Sequence, residues 1–408
     1  MRRMTSFGCN DKSSEAFLEH NNKSNKTPFS GGKPIMIIMD IKVNNFLAFN
    51  NFHMNLAFSK EDENSLITPE TFKDRPNFCY KKVAIINGSN SSGKTTFGVL
   101  LGSIFTFISK RDVTYLKSVI GNKSKDAYLS MDLIVEKYKL QRLEVKISHT
   151  KSKISHTKSK IELRVLETLI NKDDSYYTCV DRLNQMQTEY TSDVEAALAQ
   201  LSQLHWMVLP KEFNNIYKSD ICKNRELFID VLNKVMKTLD PSIVSVKDSD
   251  GNICINFYNR QLILKDENSK VGYLLSTGTK EGITISLILS EIINNYYGFY
   301  YCDEKFSCID SDIEISILIA MISNLAEGSQ LFFTTHNKEL LSLKLPKHSF
   351  YFLKKELCDS CYSISISSAE EVLDSYSKPF CDVSIYDAAI NDYFSSVPET
   401  NLITDLTK

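Results

Sequence analysis

Glycine and proline are scarce in this chain, at 14 and 9 residues in 408. That excludes a collagen-like or Gly/Pro-rich low-complexity polymer. Long apolar runs are missing too: stretches such as Gly98–Ile108 are short and interrupted, whereas a bilayer-spanning helix needs about 20 residues. Met1–Arg3 leads into no hydrophobic signal core, so no secretory leader is expected. Neither sign of charge dominates. With 48 basic and 50 acidic residues the net charge is −2, which excludes an overall basic nucleic-acid binder and leaves only local basic patches. The ten cysteines are scattered, and without a signal peptide they read as reduced thiols of a cytoplasmic protein, not as a disulfide framework. Apolar residues make up 42%, enough to build a core.

Scarcity makes the placement of glycine informative. Six of the 14 fall in two eleven-residue windows, Gly88, Gly93, Gly98 and Gly272, Gly278, Gly282, as expected of loops whose backbone turns tightly or approaches a ligand.

Residues 1–34 are polar and aperiodic, and 1–38 is assigned as a flexible leader. From Met39 onward, Ile41, Val43, Phe46, Phe49, Phe52, Met54 and Leu56 have the spacing of a hairpin of half-buried strands. Val83–Ile86 reads as a short buried strand, followed by a Gly/Ser loop and a helix over Lys94–Ser109, so 39–110 forms the first half of a core. Residues 111–240 read as an inserted mixed lobe, with strands at Tyr128–Ile134, Leu140–Ile147 and Ile161–Leu169 and helices at Thr191–Trp206 and Arg225–Leu239. Within it, Ile147–Lys153 (ISHTKSK) recurs unchanged as Ile154–Lys160. Seven is odd, so inside a strand the duplication would turn every later side chain to the other face; a hairpin tip is the expected place for it.

The second core half, 241–365, holds strands Ile243–Val246 and Ile253–Tyr258 joined at Asp250-Gly251, a pair hairpins favour. Helix Lys280–Asn295, strand Phe299–Cys302, helix Ile313–Leu325 and strand Gln330–Thr334 follow. This alternation predicts an α/β fold, with 366–408 as a strand and helix tail.

Gly88-Ser89-Asn90-Ser91-Ser92-Gly93-Lys94-Thr95, with Thr96 beside it, matches GxxxxGK[ST] between a strand and a helix. In such a loop, successive amides and the helix N-terminus cradle phosphates, Lys94 reaches the β- and γ-phosphates, and Thr95 supplies an oxygen to Mg²⁺. Phe299–Glu304 is an apolar strand ending in two carboxylates; Asp303 suits Mg²⁺, and Glu304 suits a general base that orients the attacking water. Leu275–Gly282 opens a helix, with Ser276 as N-cap and free amides behind it, a second candidate anion site that includes Gly278.

With these motifs in this order, the chain resembles the ABC-type ATPase heads of the SMC and RecF class, over about 39–110 and 240–345. The resemblance implies a P-loop NTPase fold with an inserted lobe and Mg-ATP as cofactor. It implies a composite site in which Ser276 and Gly278 of one subunit meet the γ-phosphate held by another, so that at least a homodimer is needed. Ser307-Cys308-Ile309-Asp310 resembles the D-loop, and His336, after Gln330–Thr335, resembles the switch histidine that senses the γ-phosphate. Asn45–Phe49, Leu239–Ile243 and Ser276–Gly282 are similar to stand-alone bacterial ATPases of the AAA_15 type, several of which serve antiphage operons. The implied function is an ATPase that regulates a separately encoded effector; the alternative is a RecF-like DNA-binding repair clamp. The sequence departs from these families at Leu47, where many relatives carry a basic residue, at Thr277 and Thr279 in the signature, and in a Q-loop for which Gln141 is the one weak candidate.

The basic stretch Arg142–Arg164 admits two readings, a nucleic-acid or acidic-partner contact and a solvated hairpin tip. Cys358 and Cys361 form a lone CxxC without the further ligands of a closed zinc site, so no metal is expected there. Cys302 reads as a packing residue.

Overall fold

The computed structural model describes residues 33–375, apart from 60–64, 68, 151–157, 210–221, 265–273 and 359–360, together with 385–386. Most of the leader, Gly272 and most of the 366–408 tail lie outside the described residues.

The first strands are β1 (Ile37–Asn44), β2 (Phe52–Asn55), β3 (Ala57–Phe58), β4 (Thr71–Phe72), β5 (Arg75–Tyr80) and β6 (Val83–Asn87). Then come β7 (Ala127–Glu136), β8 (Lys139–Thr150), β9 (Lys158–Leu169), β10 (Trp206–Leu209), β11 (Ile243–Ser249), β12 (Asn252–Phe257) and β13 (Gln261–Leu264). β14 (Phe299–Asp303), β15 (Gln330–Thr335), β16 (Phe350–Cys358) and β17 (Cys361–Ser368) follow. The helices are α1 (Lys94–Lys110), α2 (Val113–Ser118), α3 (Tyr176–Gln185), α4 (Val194–Leu198), α5 (Arg225–Leu239), α6 (Thr277–Asn294), α7 (Ser311–Asn324) and α8 (Ala369–Ser375).

The central sheet has the order β10-β14-β15-β6-β16-β17 and is parallel except for β17. β6, β14 and β15 are buried along their whole length, as continuous apolar strands covered on both faces should be. Their side chains alternate between two cores. Val83, Ile85, Tyr300, Cys302, Leu331 and Phe333 pack with α5, α6 and α7. Ala84, Ile86, Phe299, Tyr301 and Phe332 face α1 and a five-stranded antiparallel sheet of order β2-β1-β7-β8-β9. Helix α1 is thus sandwiched between two sheets, which explains why twelve of its residues are buried.

Four expectations need correction. β1 begins at Ile37, and Met36 is already fully buried and donates its N–H to the Gly328 carbonyl at 3.1 Å; the leader therefore ends before residue 36, not at 38. Segment 111–240 is not a separate lobe, because β7–β9 extend the sheet begun by β1 and β2 while β10 joins the central sheet beside β14. The helix expected over Thr191–Trp206 is only Val194–Leu198, and Trp206 opens β10. The boundary drawn between 365 and 366 cuts through β17. Other elements agree closely: Arg225–Leu239 is helical from end to end, with Asn224 as its N-cap. Asp250 and Gly251 both have positive φ, 54° and 81°, as a two-residue hairpin turn requires. The duplicated heptapeptide spans the end of the β8–β9 hairpin, whose tip itself lies outside the described residues.

The arginines of the basic stretch are committed to carboxylates. Arg142 grips buried Asp132 through Nε and Nη2 at 2.6 and 2.7 Å, and Arg164 Nε meets Glu144 at 2.7 Å. Pulling Arg142 away would strand a buried charge at a cost of about 3–5 kcal/mol, which disfavours a role for it in gripping phosphates.

Glu291 on α6 is buried; its Oε1 accepts from the Lys223 N–H at 2.8 Å and its Oε2 has no hydrogen-bond partner. Burial pushes its carboxyl from 4.5 up to about 7. Between those values the folded chain holds a proton that the unfolded chain has released, so stability falls as pH rises through this window, by on the order of 3 kcal/mol. Urea unfolding at about pH 5 and pH 8 is expected to show that loss in the native chain and a clearly smaller one in Glu291→Gln; equal pH dependence in both would refute the assignment.

Candidate functional site

The register of the parallel strands brings the motifs to one edge. Asp303 of β14 lies opposite Thr334 of β15, and Thr334 opposite Ile86 of β6. The loop after β6, the carboxylates ending β14 and the residue after β15 therefore share the C-terminal edge of the sheet, where open α/β folds bind ligands.

The Gly88–Gly93 loop curls into the N-terminus of α1. Gly93 is its N-cap with φ 113°, and no side chain caps the first turn, which leaves helix amides facing the loop. The φ demands glycine; a Cβ on Gly93 would also press on the Ile364 side-chain end, 2.4 Å from Cδ1. A Cβ on Gly88 would meet the Leu353 carbonyl at 2.8 Å, so the β16–β17 hairpin packs directly under the loop.

Lys94 is 3% exposed. Its Nζ donates to the carbonyls of Gly88 at 2.6 Å and Ser89 at 2.9 Å, and pairs with Glu304 Oε1 at 3.0 Å. Glu304 has φ 43°, sparsely populated for a residue with a Cβ. It is held there by its N–H, which donates to Thr334 Oγ1 at 3.0 Å. Asp303 Oδ1 accepts from the Thr334 hydroxyl at 2.8 Å, whereas Oδ2 is buried and without a hydrogen bond of good geometry. Burial raises the Asp303 pKa, and the hydroxyls of Thr95 and Thr334 oppose that rise. Thr95 and Asp303 line the same cleft with Gly98 and Tyr301. A hydroxyl beside an unsatisfied carboxylate oxygen is a hard-oxygen donor set that fits Mg²⁺, which takes few protein ligands and keeps much of its water.

His336 stands exposed just beyond β15. Ser276 caps α6, accepting from the Thr279 N–H at 3.1 Å, and Gly278 lies against the Cys308 carbonyl, which a Cβ would approach to 2.8 Å. Glu281 binds the same turn through the Cys308 N–H at 3.3 Å. The signature-like turn and the Ser307–Asp310 turn are therefore brought together at the exposed N-terminus of α6. Gln141 is buried in β8, donating to Glu167 and to the Gln200 carbonyl; it is a sheet residue and not part of the loop edge. Leu47, at φ 52°, occupies the short turn between Phe46 and Phe49.

One polar network escapes sequence reading. Asn87 accepts from the Gly88 N–H at 2.8 Å and donates to the Asn337 carbonyl at 3.0 Å, while Asn337 and Thr335 each donate to buried Glu314 of α7 at 2.8 Å. Burial raises the Glu314 pKa against those two hydrogen bonds. The network ties the entry of the glycine loop to the residues flanking His336. Its one signal in the sequence is Glu314, which interrupts an apolar stripe continued by Ile317, Leu318 and Met321.

No family model matches the chain, and no curated protein matches it. Among solved structures it is similar to an SMC head bound to the C-winged helix domain of ScpA, with TM-score 0.46 and 12% identity over 82% of this chain and 99% of that one. It is similar also to the SMC head domain from Thermotoga maritima, with TM-score 0.37 and 14% identity over 80% and 98%. For the recombination mediator RecF the TM-score is 0.42 and the identity 12%, over 81% and 99%. At these values the likeness bears on neither activity nor partners, and the functional reading rests on the site of this chain. Among the described residues, no helix is long and apolar enough to cross a membrane.

Proposed function

We propose that this chain binds a Mg–nucleoside triphosphate, ATP as its motifs imply, on the Gly88–Thr96 loop and hydrolyses it between two copies. The observation that carries the reading is the convergence of Lys94 and Glu304 at 3.0 Å inside a loop whose helix amides are uncapped. Arriving phosphate takes Lys94 from Glu304, neutralising charge that builds on the transferred group. Glu304, so released, orients a water and accepts its proton at the carboxylate. Thr95 and Asp303 would hold Mg²⁺, which when bound offsets phosphate charge. His336 would touch the γ-phosphate, and Ser276 and Gly278 of a second copy would close over it.

Two copies joined through ATP form a timer: together while the triphosphate is intact, apart after cleavage. The resemblance makes a separately encoded defence effector the expected client, and co-purification from the native operon tests it. The repair-clamp alternative requires a phosphate-gripping face, and the pairing of Arg142 and Arg164 with carboxylates disfavours these two residues as part of it. Clear stimulation of turnover by long DNA would restore that alternative.

The direct test is Mg-dependent phosphate release by the purified chain. Lys94→Ala is expected to weaken nucleotide binding at least about tenfold and to lower turnover to background. Undiminished turnover would remove the proposal's foundation.

A further inference from the structure

The central sheet ends in a hairpin that reaches beyond it. β16 pairs with β6 only through Phe350, Tyr351 and Phe352. Beyond Ile364, whose N–H also donates to the Ala48 carbonyl at 2.9 Å, the register pairs Glu356 with Ser363, Leu357 with Tyr362 and lastly Cys358 with Cys361. Such an end, with exposed ladder bonds and few buried contacts, is where local opening is least costly. At its buried root lie Ile364, whose side chain lies against Gly93, and Leu353, whose carbonyl lies against Gly88. The strands that the exposed end joins are therefore the ones packed under the glycine loop.

The two cysteines that close the hairpin are free and exposed. Residues directly opposite in an antiparallel pair have Cα atoms about 4.5–5.5 Å apart, inside the roughly 4.4–6.8 Å that a disulfide spans. Buried Cys302, by contrast, has its thiol pushed up to about 12 by loss of solvent and is inert.

We propose that Cys358 and Cys361 are an oxidation site: a small disulfide such as glutathione disulfide converts them into a cross-strand bond that fixes the hairpin and strengthens nucleotide binding. One thiolate attacks the glutathione disulfide and expels a glutathione thiolate. The second attacks the protein-bound sulfur of the mixed disulfide and expels the other. One S–S bond breaks and one forms, and two electrons and two protons pass from the protein thiols to two glutathione molecules. The binding consequence rests on the nucleotide reading above; the oxidation does not.

The full chain is equilibrated with mixtures of reduced and oxidised glutathione, alkylated, and mapped by mass spectrometry. The peptide carrying both cysteines is expected to lose two hydrogens with no glutathione adduct, while Cys358→Ser and Cys361→Ser each retain a mixed disulfide on the remaining thiol. Alkylation of both thiols in the wild type under oxidising conditions, a persistent adduct, or a bond between two copies overturns the site. A fluorescent ATP analogue with Mg²⁺ is then titrated into both forms. Oxidised wild type is expected to bind several-fold more tightly than reduced, Cys361→Ser to show no redox response, and Ile364→Ala to bind more weakly than wild type in either form. Equal affinity of the oxidised and reduced chains overturns the coupling. Failure of every form to bind nucleotide refutes the nucleotide reading and with it the coupling, while the mass result still decides the oxidation site.

Discussion

Glu304→Gln is expected to lower phosphate release by about 10²–10⁴-fold, the usual span for losing a positioned base, while nucleotide binding is retained or tightened. The substitution is close to isosteric and leaves the N–H of residue 304 donating to Thr334. What it removes is one negative charge, 3.0 Å from Lys94 Nζ and at the place where triphosphate must enter. In the wild type the incoming phosphates compete with that carboxylate for Lys94; in the variant they do not. Binding and chemistry should therefore separate, turnover collapsing as affinity holds or rises. Steady-state phosphate release beside a nucleotide titration measures both. An ATP-bound pair of copies should also persist in size-exclusion chromatography. Wild-type turnover in Glu304→Gln would remove Glu304 from the chemistry, and parallel losses of affinity and turnover would assign it to shaping the loop.

Much of this site is legible locally because its parts are local. A GxxxxGK[ST] run between strand and helix, an apolar strand ending in Asp303-Glu304, and Ser276 before a helix each state their geometry within a few residues. Helix α5 is readable for the same reason: Asn224 caps its start and an apolar stripe runs to Leu239. What stays hidden is pairing across sequence distance. Thr191–Trp206 has Asp193 as a cap and an alanine-rich turn after it, and reads as a helix. Trp206–Leu209 instead takes the open edge of β14, where its four residues are all buried, and tertiary pairing overrides local preference. The union of β1 with β7 joins residues some ninety positions apart, which no local period reveals. Met36–Ile38 escape the strand pattern because burial on both faces erases the alternation that marks a half-buried strand. The Asn87–Asn337–Glu314 network joins three separate elements, and only Glu314, a carboxylate on an apolar stripe, betrays it in the sequence.

The pairing of copies makes the sharper prediction. Ser276 and Gly278 contact Thr279 and the Cys308 turn at the exposed start of α6; in the proposed function the phosphate loop they serve belongs to a second molecule. Ser276→Arg places a long cation at an exposed helix start, at a fold cost of about 1 kcal/mol for the lost cap, and leaves Lys94 and Glu304 intact. Lys94→Ala does the reverse. Each variant alone is expected to be inactive, since every composite site in its dimers lacks one half. Mixed in equal amounts, half of the dimers are heterodimers, and each has one site built from the intact loop of one copy and the intact α6 start of the other. Activity should return to roughly a quarter of the wild-type value, as two-fold pairing dictates. Phosphate release across mixing ratios is the measurement, with a maximum at equal amounts. If Ser276→Arg alone is fully active, or if the mixture stays at background while both variants remain folded and pair with wild type, hydrolysis does not depend on the α6 start of a partner.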